Sequence, residues 1–142
     1  TEKKLFSIGL GADAASAIML TSLLQNGVLR ERPSLPVLEL AEYRIGSVQT
    51  GIMWVTQQLQ ALGQAGDVAI IFSANLSQSE VQRIQVAIEQ RQVNAVWLGH
   101  NGPGLSLHSE EASVECRLTL NHAIAICLAR LIETNTFGPV ED

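Results

Sequence analysis

Apolar and polar positions fall along the chain in alternating blocks whose lengths and periods predict strands and helices in turn. Lys4 to Leu10 (KLFSIGL) is short and mostly apolar and reads as a first strand ending at Gly9 and Gly11. Ala12 to Leu29 reads as a helix, with Asp13 near its start, where a carboxylate complements the dipole, and Gly27 near its end. A polar loop with two prolines, Arg30 to Pro36, leads into a second strand, Val37 to Tyr43, with Glu39 marking an exposed side. Ser47 to Leu62 predicts a second helix closed by Gly63 and Gly66. Val68 to Phe72 (VAIIF) is a continuous apolar run, the pattern of a parallel strand buried on both faces. Ser77 to Gln90 is the clearest amphipathic helix: Ser77 is a cap, Glu80 stands three residues on, and Val81, Ile84, Ala87 and Ile88 share a face. Val93 to Leu98 is a further strand running into Gly99-His100-Asn101-Gly102-Pro103-Gly104, and a last helix is expected near Leu118 to Glu133.

Strict alternation of strand and helix predicts a three-layer α/β architecture, a mostly parallel sheet with helices on both faces, in the Rossmann-like manner. The length of 142 residues suits one domain, expected over 1–133, with 134–142 as a flexible tail.

Composition changes this picture through its charges. Only 16% of residues are charged, and the formal charge is -5. The acidic balance argues against a nucleic-acid surface, which needs clustered Lys and Arg, and against an anionic membrane surface. Between Lys4 and Arg30 the only charge is Asp13; between Arg44 and Glu80 it is Asp67. Segments without a charged stripe are expected to be covered on more than one side. Gln25, Asn26, Gln57, Gln58 and Gln60 interrupt them too often for a membrane span. Cys116 and Cys127 are too few for a disulfide scaffold; they fit a reducing cytoplasm and are expected as small core residues. No clean signal segment follows the Thr-Glu-Lys-Lys start.

Three turns are expected at the carboxyl edge of the sheet, where function gathers in such folds: Gly9-Leu10-Gly11, Ser73-Ala74-Asn75, and Gly99 to Gly104. Gly9, Gly11 and Ala14 fit G-x-G-x-x-A, a turn that lets a phosphate approach backbone amides. Asp13 puts a negative charge where that phosphate would lie. His100 is the best-placed group for acid–base chemistry, with an exposed loop histidine as the plain alternative. His100, His108 and His122 lack metal-ligand spacing, so neither a metal nor another cofactor is expected.

Arg44 to Asn75 (RIGSVQTGIMWVTQQLQALGQAGDVAIIFSAN) resembles the nucleophile region of the β-ketoacyl synthases in the thiolase-like superfamily. Gln49 stands at the cysteine position, and Gly66-Asp67-Val68-Ala69 opens the next strand. Gln92 to Glu111 resembles the strand and turn carrying that family's His-Gly-Thr-Gly-Thr motif, with Asn101, or His100 after a one-residue shift, at the histidine. Leu120-Asn121-His122-Ala123 resembles the turn that carries the second histidine. The resemblance implies a thiolase-like fold and, because glutamine cannot be acylated, no independent catalysis. It implies a partner subunit of the chain-length-factor type, assembling with an active β-ketoacyl synthase in fatty acid or polyketide biosynthesis.

A small domain also struggles to enclose several helices that are apolar nearly all round, so an oligomer interface is expected. Ile52, Met53, Trp54 and Val55 are its first candidates. The alternative is a Rossmann-like domain or enzyme binding a nucleotide or small molecule at Gly9, Gly11, Asn75 and His100.

Overall fold

A computed structural model describes residues 3–27, 33–42, 48–99, 105–107 and 113–138. Its strands are Leu5–Leu10 (β1), Val37–Glu42 (β2), Val68–Phe72 (β3), Asn94–Leu98 (β4) and Leu105–Leu107 (β5). Its helices are Ala14–Asn26 (α1), Val48–Leu62 (α2), Gln78–Gln90 (α3) and Val114–Phe137 (α4), with a short 3-10 turn, Gly11–Asp13, ahead of α1. All neighbouring strands are parallel, in the order β2-β1-β3-β4-β5. The three-layer, parallel α/β architecture expected from the alternation is the one observed.

Side-chain alternation on the strands separates two cores. Phe6, Ile8 and Leu10 of β1 and Ala69 and Ile71 of β3 face α2 and α3, meeting Ile52, Val55, Leu59, Val81, Ile84 and Ile88. Ile70 and Phe72 of β3 and Leu98 of β4 face α1 and α4, meeting Ala17, Leu20, Leu24, Ala125 and Ala129. β3 feeds both layers, which is why its sequence is apolar at every position. α1 lies against the sheet and also against α4, and this double cover accounts for its lack of a charged stripe.

Several details differ from expectation. Ile52 and Val55 are fully buried in the chain's own core, so they cannot belong to an outer interface; Trp54 packs partly against that core, and only Met53 is largely exposed. Cys116 and Cys127 are exposed rather than buried, because they lie on the outer side of α4. That helix begins four residues earlier than expected and runs to Phe137. β5 was not anticipated. It pairs with only the last three residues of β4, Val96 to Leu98, so the chain retraces about 7 Å between them, and no long crossover helix announces the strand. Among the described residues no helix is long and apolar enough to cross a membrane.

Candidate functional site

The sheet grows in both directions from β1 and β3, so their carboxyl ends form the switch point where ligands enter doubly wound folds. Gly9 allows the turn there. A Cβ on Gly9 would lie 2.5 Å from the Asp13 carbonyl oxygen and 2.9 Å from Ala17 Cβ, so α1 can sit this close to β1 only over a glycine. Gly11 has φ +62, a left-handed conformation suited to glycine. The 3-10 turn that follows carries Asp13 back across the end of the sheet.

Asp13 is fully buried. Its carboxylate accepts from the Ala74 amide at 3.2 Å and the Asn75 amide at 3.0 Å, in the turn after β3. Burial pushes its carboxyl up to about 6, while the two amides, the Asn121 side chain and the positive charge of Arg117 pull the other way. Asn121, on α4, is buried and also donates to the Leu98 carbonyl at 3.0 Å. The Ser73 amide and hydroxyl donate to the same carbonyl at 2.8 and 3.2 Å. Gly99 closes the group: with φ +99, a Cβ there would come within 3.0 Å of both the Ala74 amide and Asn121 Nδ2.

The start of α3 is occupied in the same way. Ser77 Oγ accepts from the Glu80 amide at 3.3 Å, and the Glu80 carboxylate accepts from the Ser77 amide at 2.7 Å, the capping box its sequence predicts. Two carboxylates of the chain itself, Asp13 and Glu80, therefore sit on backbone amides that a turn and helix start would otherwise offer to an anion.

Gly9, Gly11 and Asn75 do come together: Asn75 Nδ2 is 3.8 Å from where a Gly11 Cβ would be. His100 and Asn101 lie outside the described residues, as does the side chain of Gln49. His122 is half-buried with Nδ1 3.5 Å from Ser16 Oγ; it is the neighbouring Asn121 that reaches the crevice. The Leu120–Ala123 stretch pointed to His122 rather than to Asn121, and no motif announced Arg117, although Asp13 stood out as a lone charge in an apolar stretch. Among the described residues no group of three His, Cys, Asp or Glu side chains is placed to hold a metal ion. A second hollow of about 220 Å³ opens at the opposite, amino edge of the sheet, walled by Leu24, Leu35, Val68 and Ile132 beside Lys3 and Lys4. Lys4 is already committed there to the buried Asp67 at 2.7 Å.

No family model matches the chain. It is 28% identical to a phosphoheptose isomerase of Methylococcus capsulatus, over 97% of this chain and 78% of that protein. It is also 28% identical to the DnaA initiator-associating protein DiaA of Edwardsiella ictaluri, over 94% of this chain and 76% of that one. Among solved structures it resembles a phosphoheptose isomerase from Francisella tularensis, with a TM-score of 0.74, 20% identity, and coverage of 93% of this chain and 76% of that one. These similarities run through nearly the whole chain, whereas the synthase-like motifs were degenerate fragments. They overturn the thiolase-like reading, and with it the β-ketoacyl synthase partner, the chain-length-factor role and the link to fatty acid or polyketide biosynthesis. Gln49 loses its interpretation as a replaced nucleophile. The nucleotide-binding alternative is not supported as stated either: the relatives are named for a sugar phosphate and for a protein.

Proposed function

We propose that this chain is a phosphoheptose-isomerase-like subunit whose crevice is closed to sugar phosphates and which works by associating with other proteins. The observation that carries the reading is the Asp13 carboxylate on the Ala74 and Asn75 amides. A phosphate entering this turn must either displace that carboxylate or sit beside it. At about 4 Å and an effective dielectric of about 20, two like unit charges repel by about 4 kcal/mol, a loss of about a thousandfold in affinity. The likeness to a DnaA initiator-associating protein supports a role of the associating kind, and the net charge of -5 favours a partner with a basic face.

The test mixes the chain with a heptose phosphate in D2O and follows the carbon-bound proton beside the carbonyl by NMR, while a parallel binding assay presents immobilised DnaA initiator. No deuterium incorporation above the blank is expected, together with saturable binding to the initiator.

A second reading keeps the isomerase activity. It is favoured by the near-neutral Asp13 carboxyl, poised where a general base works best, and by Arg117, a cation close enough to influence it. Deuterium incorporation that disappears in Asp13→Asn would establish this second reading and remove the first.

A further inference from the structure

The hollow at the amino edge of the sheet lies at the other end of the strands from the crevice and is built differently. Its floor is one row of the sheet: Leu5, Val37 and Val68 are the first residues of β1, β2 and β3, and they stand side by side in register. Leu24 near the end of α1, Ile132 of α4 and Leu35 ahead of β2 form its sides. Of these apolar residues only Leu24 is fully buried; the others are half-buried and line a concavity of about 220 Å³. The backbone around the hollow is already paired. The Leu35 amide donates to the Leu24 carbonyl at 3.3 Å, the Leu5 amide to the Pro36 carbonyl at 2.9 Å and the Val68 amide to the Lys4 carbonyl at 3.1 Å. Water in such a hollow finds few partners to hold it, so an apolar occupant is the better one.

The charge at the rim says what else that occupant carries. Lys3 donates from its ammonium to the Ala65 carbonyl at 2.7 Å, and its side chain lies over Gly66, where a Cβ would come within 2.9 Å of Lys3 Cε. It takes part in no ion pair among the described residues, whereas Lys4 beside it is neutralised by Asp67. With one proton spent on Ala65, the Lys3 ammonium keeps two for an acceptor. We infer that the hollow binds a small monocarboxylate, its hydrocarbon body against Leu24, Leu35, Val68 and Ile132 and its carboxylate on Lys3. An apolar cavity of about 150 Å³ takes benzene, so this one has room for a body of about six to nine carbons. A single lysine with two spare protons matches one carboxylate, whereas a phosphate dianion calls for more donors and more charge. The inference holds for either reading of the crevice, since it concerns the opposite edge of the sheet.

Titration of the full chain with octanoate, followed by NMR, is expected to show saturable binding with a Kd of about 1 mM or tighter. Affinity should rise about threefold for each methylene from butanoate to octanoate and level off by decanoate, once the hollow is full. Octanol, of the same length and without charge, isolates the part played by Lys3. Lys3→Gln keeps a donor for Ala65 and is expected to weaken octanoate by about threefold while leaving octanol unchanged. Leu35→Trp fills the hollow from its side and Val37→Phe from its floor; each variant whose far-ultraviolet circular dichroism is unchanged should lose both ligands. An absence of saturable binding up to about 10 mM octanoate, an affinity that keeps climbing past decanoate, or octanoate binding indifferent to Lys3→Gln would each overturn the inference. So would binding that persists in a folded Leu35→Trp or Val37→Phe variant, which would place the ligand elsewhere on the surface.

Discussion

Because its carboxyl is held near 6, Asp13 changes charge close to neutral pH. The native state binds this proton at about 6 and the unfolded chain at its ordinary 3.8, so between those values the native state carries more protons. Stability from this group therefore rises as pH falls from about 7 towards 4, by at most about 3 kcal/mol. Asp13→Asn removes the titration, so the urea midpoint of the native chain should rise relative to that of the variant as pH falls from about 7 towards 4. Parallel pH profiles would refute this. The glycines around the carboxylate make a second prediction. Gly9→Ala places a methyl 2.5 Å from a backbone oxygen that cannot swing away, so a loss of about 2 kcal/mol or more is expected in denaturant unfolding. Gly11→Ala meets open space apart from Asn75 and should lose only about 1 kcal/mol, through its backbone conformation.

Helix α3 shows how local chemistry makes an element readable. Ser77 and Glu80 cap it, and its apolar positions recur at the helical period, so its start and its buried face followed from the residues alone. Ser77→Ala is expected to lower stability by about 1 kcal/mol, measured by thermal unfolding, with a loss much below that indicating that water replaces the cap. β3 was equally readable, because a strand shared by two cores is apolar throughout. β5 was not: three residues paired only to the end of β4 leave no period to detect. The outward positions of Cys116 and Cys127 were hidden for another reason. On a helix apolar on two sides, composition alone does not say which side meets the core. Asp67 fixes where β1 and β3 begin. Burial raises its carboxyl, but the Lys4 side chain and amide and the Gln64 amide outweigh this and leave it below the usual range. Asp67→Ala strands these donors and should destabilise by about 3 kcal/mol, read from the urea midpoint at neutral pH. The Asp67 contribution is present above the unfolded carboxylate range and fades as pH falls through the lower native value, opposite in sense to Asp13.

Over the whole molecule, β1 and β3 lie at the centre of the sheet, with β2 and β5 as its edges. Native-state hydrogen exchange is expected to be slowest in β1 and β3 and faster in β2 and β5; a β5 as protected as β3 would contradict the edge assignment. The candidate site was partly legible at this scale. Carboxyl-edge turns at Gly9, Gly11 and Asn75 follow from the alternation of elements, whereas Asn121 comes to them from α4, a helix far along the chain from all three turns, a proximity that only the fold creates.

The two lone acids of the charge-poor segments turn out to clasp the same pair of strands. Asp67 ties the beginning of β1 to the beginning of β3 through Lys4, and Asp13 ties their far ends through Ala74 and Asn75. A slip of β1 by one residue along β3 would break both clasps and turn Phe6 and Ile8 away from their core. Each clasp also joins residues 61 to 63 positions apart, so neither forms until a long loop has closed. The same acids should thus govern how quickly the chain settles into register: removing either is expected to slow refolding if the β1–β3 pair forms in the rate-limiting step.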